Sequence, residues 1–339
     1  MKHLSLLVPG LLGPLPELKQ YSGIVPRCNV LEKWLSRGDV LSTSCFNYFQ
    51  QLADLLSINK DFSIAYVSAM IDGFDPSQGY WYRADPVHFR ADMDHAILLD
   101  HEMLDIAQHE ADKLIHLFNE HFMDDGLQLF SRHPARWYLQ STVPFDISAT
   151  QLSDAIGRNV THFLPQGEHA LRWRRFLNET QMLFHEHAVN VERASSGKLA
   201  INSLWLWGEG QDMHYDDHKT FQWMMAKETV AVGLANILGI ETSPLEEFNS
   251  MAGLQGNGLM IIDDLLSPAS YGDVEKWGQA LEKLCDLWLA PLQKLMQKGI
   301  VKQIDLYTAE GRQFVITPRS QYKFWRRTSP LTSYIADNA

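Results

Sequence analysis

A chain of 339 residues, 45% of them hydrophobic, has the material for a large core and, by length alone, for about two domains. Its 41 acidic residues against 29 basic ones give a formal net charge of −12, and no run of Lys and Arg exceeds three, so nucleic acid and anionic membrane surfaces are poor partners. No stretch approaches the roughly 18 uninterrupted apolar residues that a membrane-spanning helix needs.

In chain order, "LSLLVPGLL" near the start reads as a buried strand and its turn rather than a targeting segment, because Pro9 and Pro14 interrupt the apolar run. "CFNYFQQLADLL" reads as a helix and "SIAYVSAMI" as the strand after it. From Tyr80 the style changes. "YWYRADPVHFRAD" and "HAILLD" look like paired strands, and "DIAQHEADKLIHLFNEHF" is an amphipathic helix with Ile106, Leu114, Leu117, Phe118 and Phe122 at helical spacing. "LQLF" and "ARWYLQS" then suggest a hairpin. The alternating pattern resumes with a helix over 168–187, the strand "INSLWLW", the helix "TVAVGLANILG", the strand "GLMIIDDLL", and a long helix over 273–299 with Asp273 as N-cap, Gly299 past its end and a kink at Pro291. "VKQIDLYTAEGRQFVI" closes the series as a hairpin or separate strands.

Alternating helices and strands predict a layered α/β architecture. The simplest topology is an α/β core, residues 1–79 and 146–339, interrupted by an α+β unit over 80–145. Functional groups are then expected at strand C-terminal ends and in a cleft between domains. Cys28, Cys45 and Cys285 are odd in number and lack metal-type spacing, which predicts reduced thiols and a cytoplasmic protein rather than a disulfide framework.

The richest stretch is "LFHEHAVNVERASSGKLAINSLWLWGEG", residues 183–210. Taken singly, His187 reads as a satisfied core histidine. Together with Asn190, Arg193 and Asn202 it reads as a set of forked and amide side chains suited to a carboxylate or phosphate. "INSLWLW" has too few polar residues for a half-exposed strand and should be central and buried on both faces. In "MHYDDHK", His214, Asp217 and His218 could share a divalent ion or simply form a solvated loop. His88, Asp92, Asp94, His95, Asp100 and His101 would be scattered over two faces by strand alternation.

The pattern "H.VN..R...GK...NS.WLWG.G" resembles the archaeal-type cofactor-independent phosphoglycerate mutases of the alkaline phosphatase superfamily. It resembles more closely a bacterial group of phosphoglycerate mutase-like, or regulatory, proteins, in which "ADPVHFRADMDHAILLD", "ARWYL" and "NSLWLWGEG" recur. The resemblance covers residues 80–210 well and the flanks weakly. It implies an alkaline phosphatase-like α/β core with a smaller inserted α+β domain. It also implies chemistry with two divalent metals such as Mn or Mg, which needs Asp and His ligands to clamp attacking and leaving oxygens. The flanks depart from that pattern. The first strand ends in Val8-Pro9-Gly10 where the family has an Asp-Gly ligand, "DDLLSPASYGD" keeps Asp263, Asp264 and Asp273 but not the His, and "TAEGR" (308–312) replaces "TADHG". The substrate-facing set implied by the resemblance is better kept: Arg83, Asp85, Arg136, His187, Asn190, Arg193 and Asn202.

Three functions follow as expectations. The first is a mutase-like protein with a degenerate metal site and no resident cofactor, binding a small phosphorylated metabolite in an inter-domain pocket, in a regulatory role. The second is an active mutase or metal-dependent phosphatase using Asp263, Asp264, His214 or His218. The third is a scaffold in which the polar residues of 183–210 only knit the structure together. The sequence leaves the oligomeric state open.

Overall fold

The computed structural model describes residues 3–13, 27–92, 95–145, 149–164, 170–210, 213–215, 220–245 and 255–334. The chain divides into two compact units, one made of Met1–Asp61 with Met213–Ala339, the other of Phe62–Asp212.

The first unit is built on β1 (His3–Leu7), β2 (Asp39–Ser42), β8 (Trp223–Met225), β9 (Glu241–Ser243), β10 (Gly258–Ile261), β11 (Gln303–Tyr307) and β12 (Arg312–Ile316). They form one sheet in the order β2-β12-β11-β1-β10-β8-β9. The five strands from β11 to β9 are parallel, and β12 and β2 continue the sheet antiparallel. Near-continuous apolar strands such as "LSLL" and "GLMI" suit a parallel sheet covered on both faces. One core joins Leu4, Leu6, Trp34, Met260, Trp277 and Trp288. Gly258 faces Trp223 across the β10–β8 pair, where an added Cβ would lie 1.9 Å from the indole ring. Gly258→Ala should therefore destabilise this unit by about 1–3 kcal/mol through overpacking, read by denaturant unfolding.

The second unit holds β3 (Tyr80–Asp92), β4 (His95–Leu99), β5 (Leu127–His133), β6 (Arg136–Ser141) and β7 (Ser203–Trp207), all antiparallel to their neighbours. The long strand β3 pairs in turn with β6, β7 and β4. The helices Gln108–Phe122 and Ala170–His185 cover this sheet, placing Phe118, Phe122, Trp173 and Phe176 in one core with Trp137 and Leu206.

Beside the expected α+β unit over 80–145, the compact unit observed is Phe62–Asp212: β7 locks to β3 from Arg83↔Trp207 to Val87↔Ser203, and "INSLWLW", though buried, belongs to the antiparallel sheet. Two expectations are corrected. "SIAYVSAMI" is a helix, Ile64–Ile71, because short apolar runs do not distinguish strand from buried helix by periodicity. Ser63 caps it through Tyr66 N–H, and small residues Ala65 and Ala69 let it lie close against Trp81 and Tyr138. Cys28 and Cys285 form a disulfide, their Cα atoms 6.1 Å apart, leaving Cys45 as the free, buried thiol. A 257-residue separation hides such a pair from spacing arguments. Asp273 does cap its helix, through Lys276 N–H, and a π turn over Cys285–Leu289 precedes Pro291. Among the described residues no helix is long and apolar enough to cross a membrane.

At the start of β1, His3 Nε2 lies 2.6 Å from Asp305 Oδ2. The hydrogen bond to Asp305 raises the histidine pKa above its ordinary 6.5, against the lowering effect of burial. A raised folded-state value stabilises below the unfolded pKa and loses that contribution as pH rises through the folded one. Melting curves on either side of pH 6.5 should show wild type losing an advantage over His3→Gln as pH increases.

Candidate functional site

In the second unit, the residues singled out by sequence already have partners. Arg193 is almost fully buried. Its guanidinium donates to Leu199 O and to Glu110 Oε2, each at 2.7 Å, and to Leu104 O. Asn190 donates to Phe184 O and Ile201 O and accepts from Ile201 N–H, all at 2.8 Å. Asn202 pairs with both backbone groups of Phe89. His187 is the N-cap of the helix Ala188–Ser195, its Nδ1 accepting from Val189 N–H, and burial lowers its pKa. This quartet ties a helix turn to its neighbouring strands. The amide and guanidinium groups that suggested anion recognition are spent on backbone carbonyls and Glu110.

Arg83, Asp85 and Arg136 gather elsewhere on the same unit. Arg83 Nη2 meets Asp85 Oδ1 at 2.6 Å, and its guanidinium lies over the rings of Tyr138 and Trp207 at 5.6 and 5.2 Å. Trp207 Nε1 donates to the other Asp85 oxygen. Arg136 makes a bidentate pair with Asp72, 2.7 and 2.6 Å, and Tyr138 also donates to that carboxylate. Burial would raise the Asp72 pKa, but the Arg136 and Tyr138 hydrogen bonds outweigh it and hold it low. The Arg83 Nε is buried without a hydrogen-bond partner. The sequence reading missed Asp72 and Glu110, whose only signal was an acid beside an apolar helix face.

In the first unit, chemistry-bearing groups collect where the parallel strands end, the edge at which open α/β sheets bind ligands. β10 runs into Asp263 and Asp264, and Lys227 beyond β8 lies 3.4 Å from Asp264. Glu228 caps the helix Thr229–Ile237 through Val230 and Ala231 N–H and accepts from the Tyr48 hydroxyl at 3.3 Å. Burial pushes Asp263 up, with Asp264 adding to it, and burial with the Glu228 and Asp263 charges pushes the Tyr48 phenol well up. Glu310 is raised to about 7 by the packing around its carboxyl. "TAEGR" proves to be the β11–β12 turn, with Ala309 and Gly311 at positive φ.

A cavity of about 410 Å³ opens beside Asp264. Lys227, Lys276, Gln279 and Lys283 line it together with Ile262, Leu265 and Trp288. Lys276, Gln279 and Lys283 recur at spacings of three and four along the helix Val274–Leu284, which puts them on one face. Lys227 lies 3.4 Å from Asp264 and Lys276 3.4 Å from Asp273, and Lys283 adds a third cation to this lining in a chain of net charge −12. By contrast, a cavity of about 630 Å³ in the second unit is lined mainly by neutral amides and hydroxyls, including Gln78, Asn119, Gln140 and Thr142, with no cation.

No family model matches the sequence. A 139-residue segment, 40% of this chain, is 24% identical to a 2,3-bisphosphoglycerate-independent phosphoglycerate mutase of Methanosarcina mazei, covering 35% of that protein. The Methanosarcina acetivorans enzyme matches at 23% over 167 residues, 48% of this chain and 41% of the relative. A probable mutase of Geobacter sulfurreducens matches at 36% over 58 residues, 17% and 14% of the two chains. The chain is similar, at low identity, to cofactor-independent phosphoglycerate mutases. It spans about two fifths or less of the length of the curated mutases it matches. The PH0037 protein from Pyrococcus horikoshii shares the fold, with a TM-score of 0.50 at 12% identity over 98% of this chain and 91% of that one. The expected fold class, an alkaline phosphatase-like α/β core with a smaller α+β unit, stands.

At the strand ends, where the resemblance to the mutases implies a two-metal clamp, several of the described side chains have other partners. Val8, between the ends of β10 and β11, is fully buried core, and Gly10 O accepts from Trp277 Nε1 at 2.8 Å. Asp264 is engaged by Lys227, Glu228 by its helix, and Asp273 serves as an N-cap. Among the described residues no three His, Cys, Asp or Glu side chains stand together as a metal-binding group. His214 donates its backbone N–H to Asn59, while Asp217 and His218 lie outside the described residues.

Proposed function

We propose that this protein is a phosphoglycerate mutase-like binder of a small phosphorylated acid, and that lysine ammonium groups supply the positive field that two metals supply in the mutases. The observation that carries this reading is the cavity at the C-terminal strand edge with Lys227, Lys276 and Lys283 on its walls. Ammonium groups attract phosphate and carboxylate as point charges, but they do not lower the pKa of a bound hydroxyl as a divalent metal does. Binding without turnover suits a regulatory role, in which occupancy by a metabolite is the signal.

Arg83 and Arg136 come second as anion ligands, because Asp85 and Asp72 hold them at 2.6 Å, tighter than the 3.4 Å contacts of Lys227 with Asp264 and Lys276 with Asp273. For His187, Asn190, Arg193 and Asn202, the hydrogen-bond network favours the scaffold reading.

The test is thermal unfolding with 3-phosphoglycerate or inorganic phosphate, beside a mutase assay with added Mn²⁺. A ligand at about 100 times its Kd stabilises by about 2.7 kcal/mol, a shift readily measured. The proposal expects stabilisation by 3-phosphoglycerate and no turnover with metal. Absence of any shift, or metal-dependent mutase activity, overturns it.

A further inference from the structure

The net charge of −12 averages over a segment of opposite character. Residues 311–336 carry Arg312, Arg319, Lys323, Arg326 and Arg327 and no Asp or Glu, and the centre of the segment reads "YKFWRR". The turn that holds these residues is pinned at its base. Thr317 and Ser320 bond to each other, Lys323 Nζ reaches Asp39 at 2.6 Å, Arg326 Nη1 donates to Gly38 O at 2.8 Å, and Ser329 N–H donates to Ser36 Oγ. Beyond that base, Tyr322, Phe324 and Trp325 are 77%, 80% and 68% exposed, and the last two rings contact each other edge to face at 5.3 Å. Val40 and Leu41 of the edge strand β2, next to Asp39, are also exposed. Large rings left together in water mark an interaction surface rather than incidental exposure.

We infer that this turn docks the protein onto an anionic lipid surface. The rings stand on a turn held from below, a shape that enters a soft interface, and aromatic side chains interleaved with Lys and Arg match the headgroup boundary of a bilayer. Arg319 and Arg327, both exposed and outside the pinned base, are placed to meet lipid phosphates. Such attraction falls with ionic strength, since it acts over about a Debye length.

The experiment is co-sedimentation of the full chain with phosphatidylcholine vesicles containing or lacking phosphatidylserine. Binding to the phosphatidylserine vesicles only, weakened by salt, is expected. Replacing Arg319 and Arg327 together with Gln should reduce partitioning roughly 30-fold, at about one factor of five per cation. Phe324→Ser with Trp325→Ser should reduce it as well while leaving the melting temperature unchanged, because these rings bury little in the fold. Equal sedimentation with both vesicle types, unchanged binding in both double variants, or binding to single-stranded DNA without binding to vesicles overturns the inference.

Discussion

Replacing Arg193 with Met should destabilise Phe62–Asp212 by about 3–5 kcal/mol, one of the largest single-residue effects in the molecule. Arg193 is 1% exposed and Glu110 is 9% exposed. The guanidinium satisfies two backbone carbonyls, Leu199 and Leu104, in addition to the carboxylate. Methionine fills comparable volume but leaves those acceptors unpaired and strands a buried negative charge. Glu110 also reaches back to Ala107 N–H and so anchors the first turn of the helix Gln108–Phe122, which spreads the damage to the helix covering the sheet. The double variant Arg193→Met with Glu110→Gln should recover part of the loss, because the unpaired charge is removed. Urea unfolding of the single and double variants measures this, and wild-type stability in the single variant would show that the network is not structural.

Reduction of the Cys28–Cys285 disulfide should lower the stability of the other unit by an amount of similar size. Cross-linking residues 257 apart removes a large share of the unfolded chain's freedom. The chain-entropy relation gives about 5.5 kcal/mol for a loop of this length, and measured bridges give about 2–4 kcal/mol. Both half-cystines are packed in the core that includes Trp34 and Leu281, so Cys28→Ser adds a cost of its own by placing a hydroxyl there. Unfolding with and without a reductant separates the two effects, since wild type and Cys28→Ser should converge under reducing conditions except for that packing cost. Melting that is indifferent to reductant would contradict the bond.

What the sequence revealed and what it hid follow from the range of the interactions involved. Periodicity and local caps located the helix Gln108–Phe122, the Asp273 cap and the β11–β12 hairpin, because each signal lies within a few residues. The helix Ile64–Ile71 was read as a strand since its apolar run carries no clear period, and only the neighbouring Trp81 and Tyr138 explain its small residues. The unit boundary depends on β7 pairing with β3 across more than a hundred residues, which no local pattern reports. The same limit applied to the site. Side chains of types suited to anions stand out in the sequence, but their partners, Asp72 for Arg136 and Glu110 for Arg193, lie 64 and 83 residues away. Lys276 and Lys283 give no local signal of a site, and only the folded chain sets them around one cavity with Lys227 and Asp264. Likewise, counting charges over the whole chain concealed the acid-free basic segment after Gly311.

Calorimetric titration of 3-phosphoglycerate in the presence of a chelator tests the central claim most directly, using wild type and the Lys276→Glu, Lys283→Glu double variant. Saturable binding is expected that chelation leaves unchanged and that the double variant loses, while Arg83→Gln retains it. Binding that appears only after Mn²⁺ is added, or that survives reversal of both lysine charges, would contradict the claim.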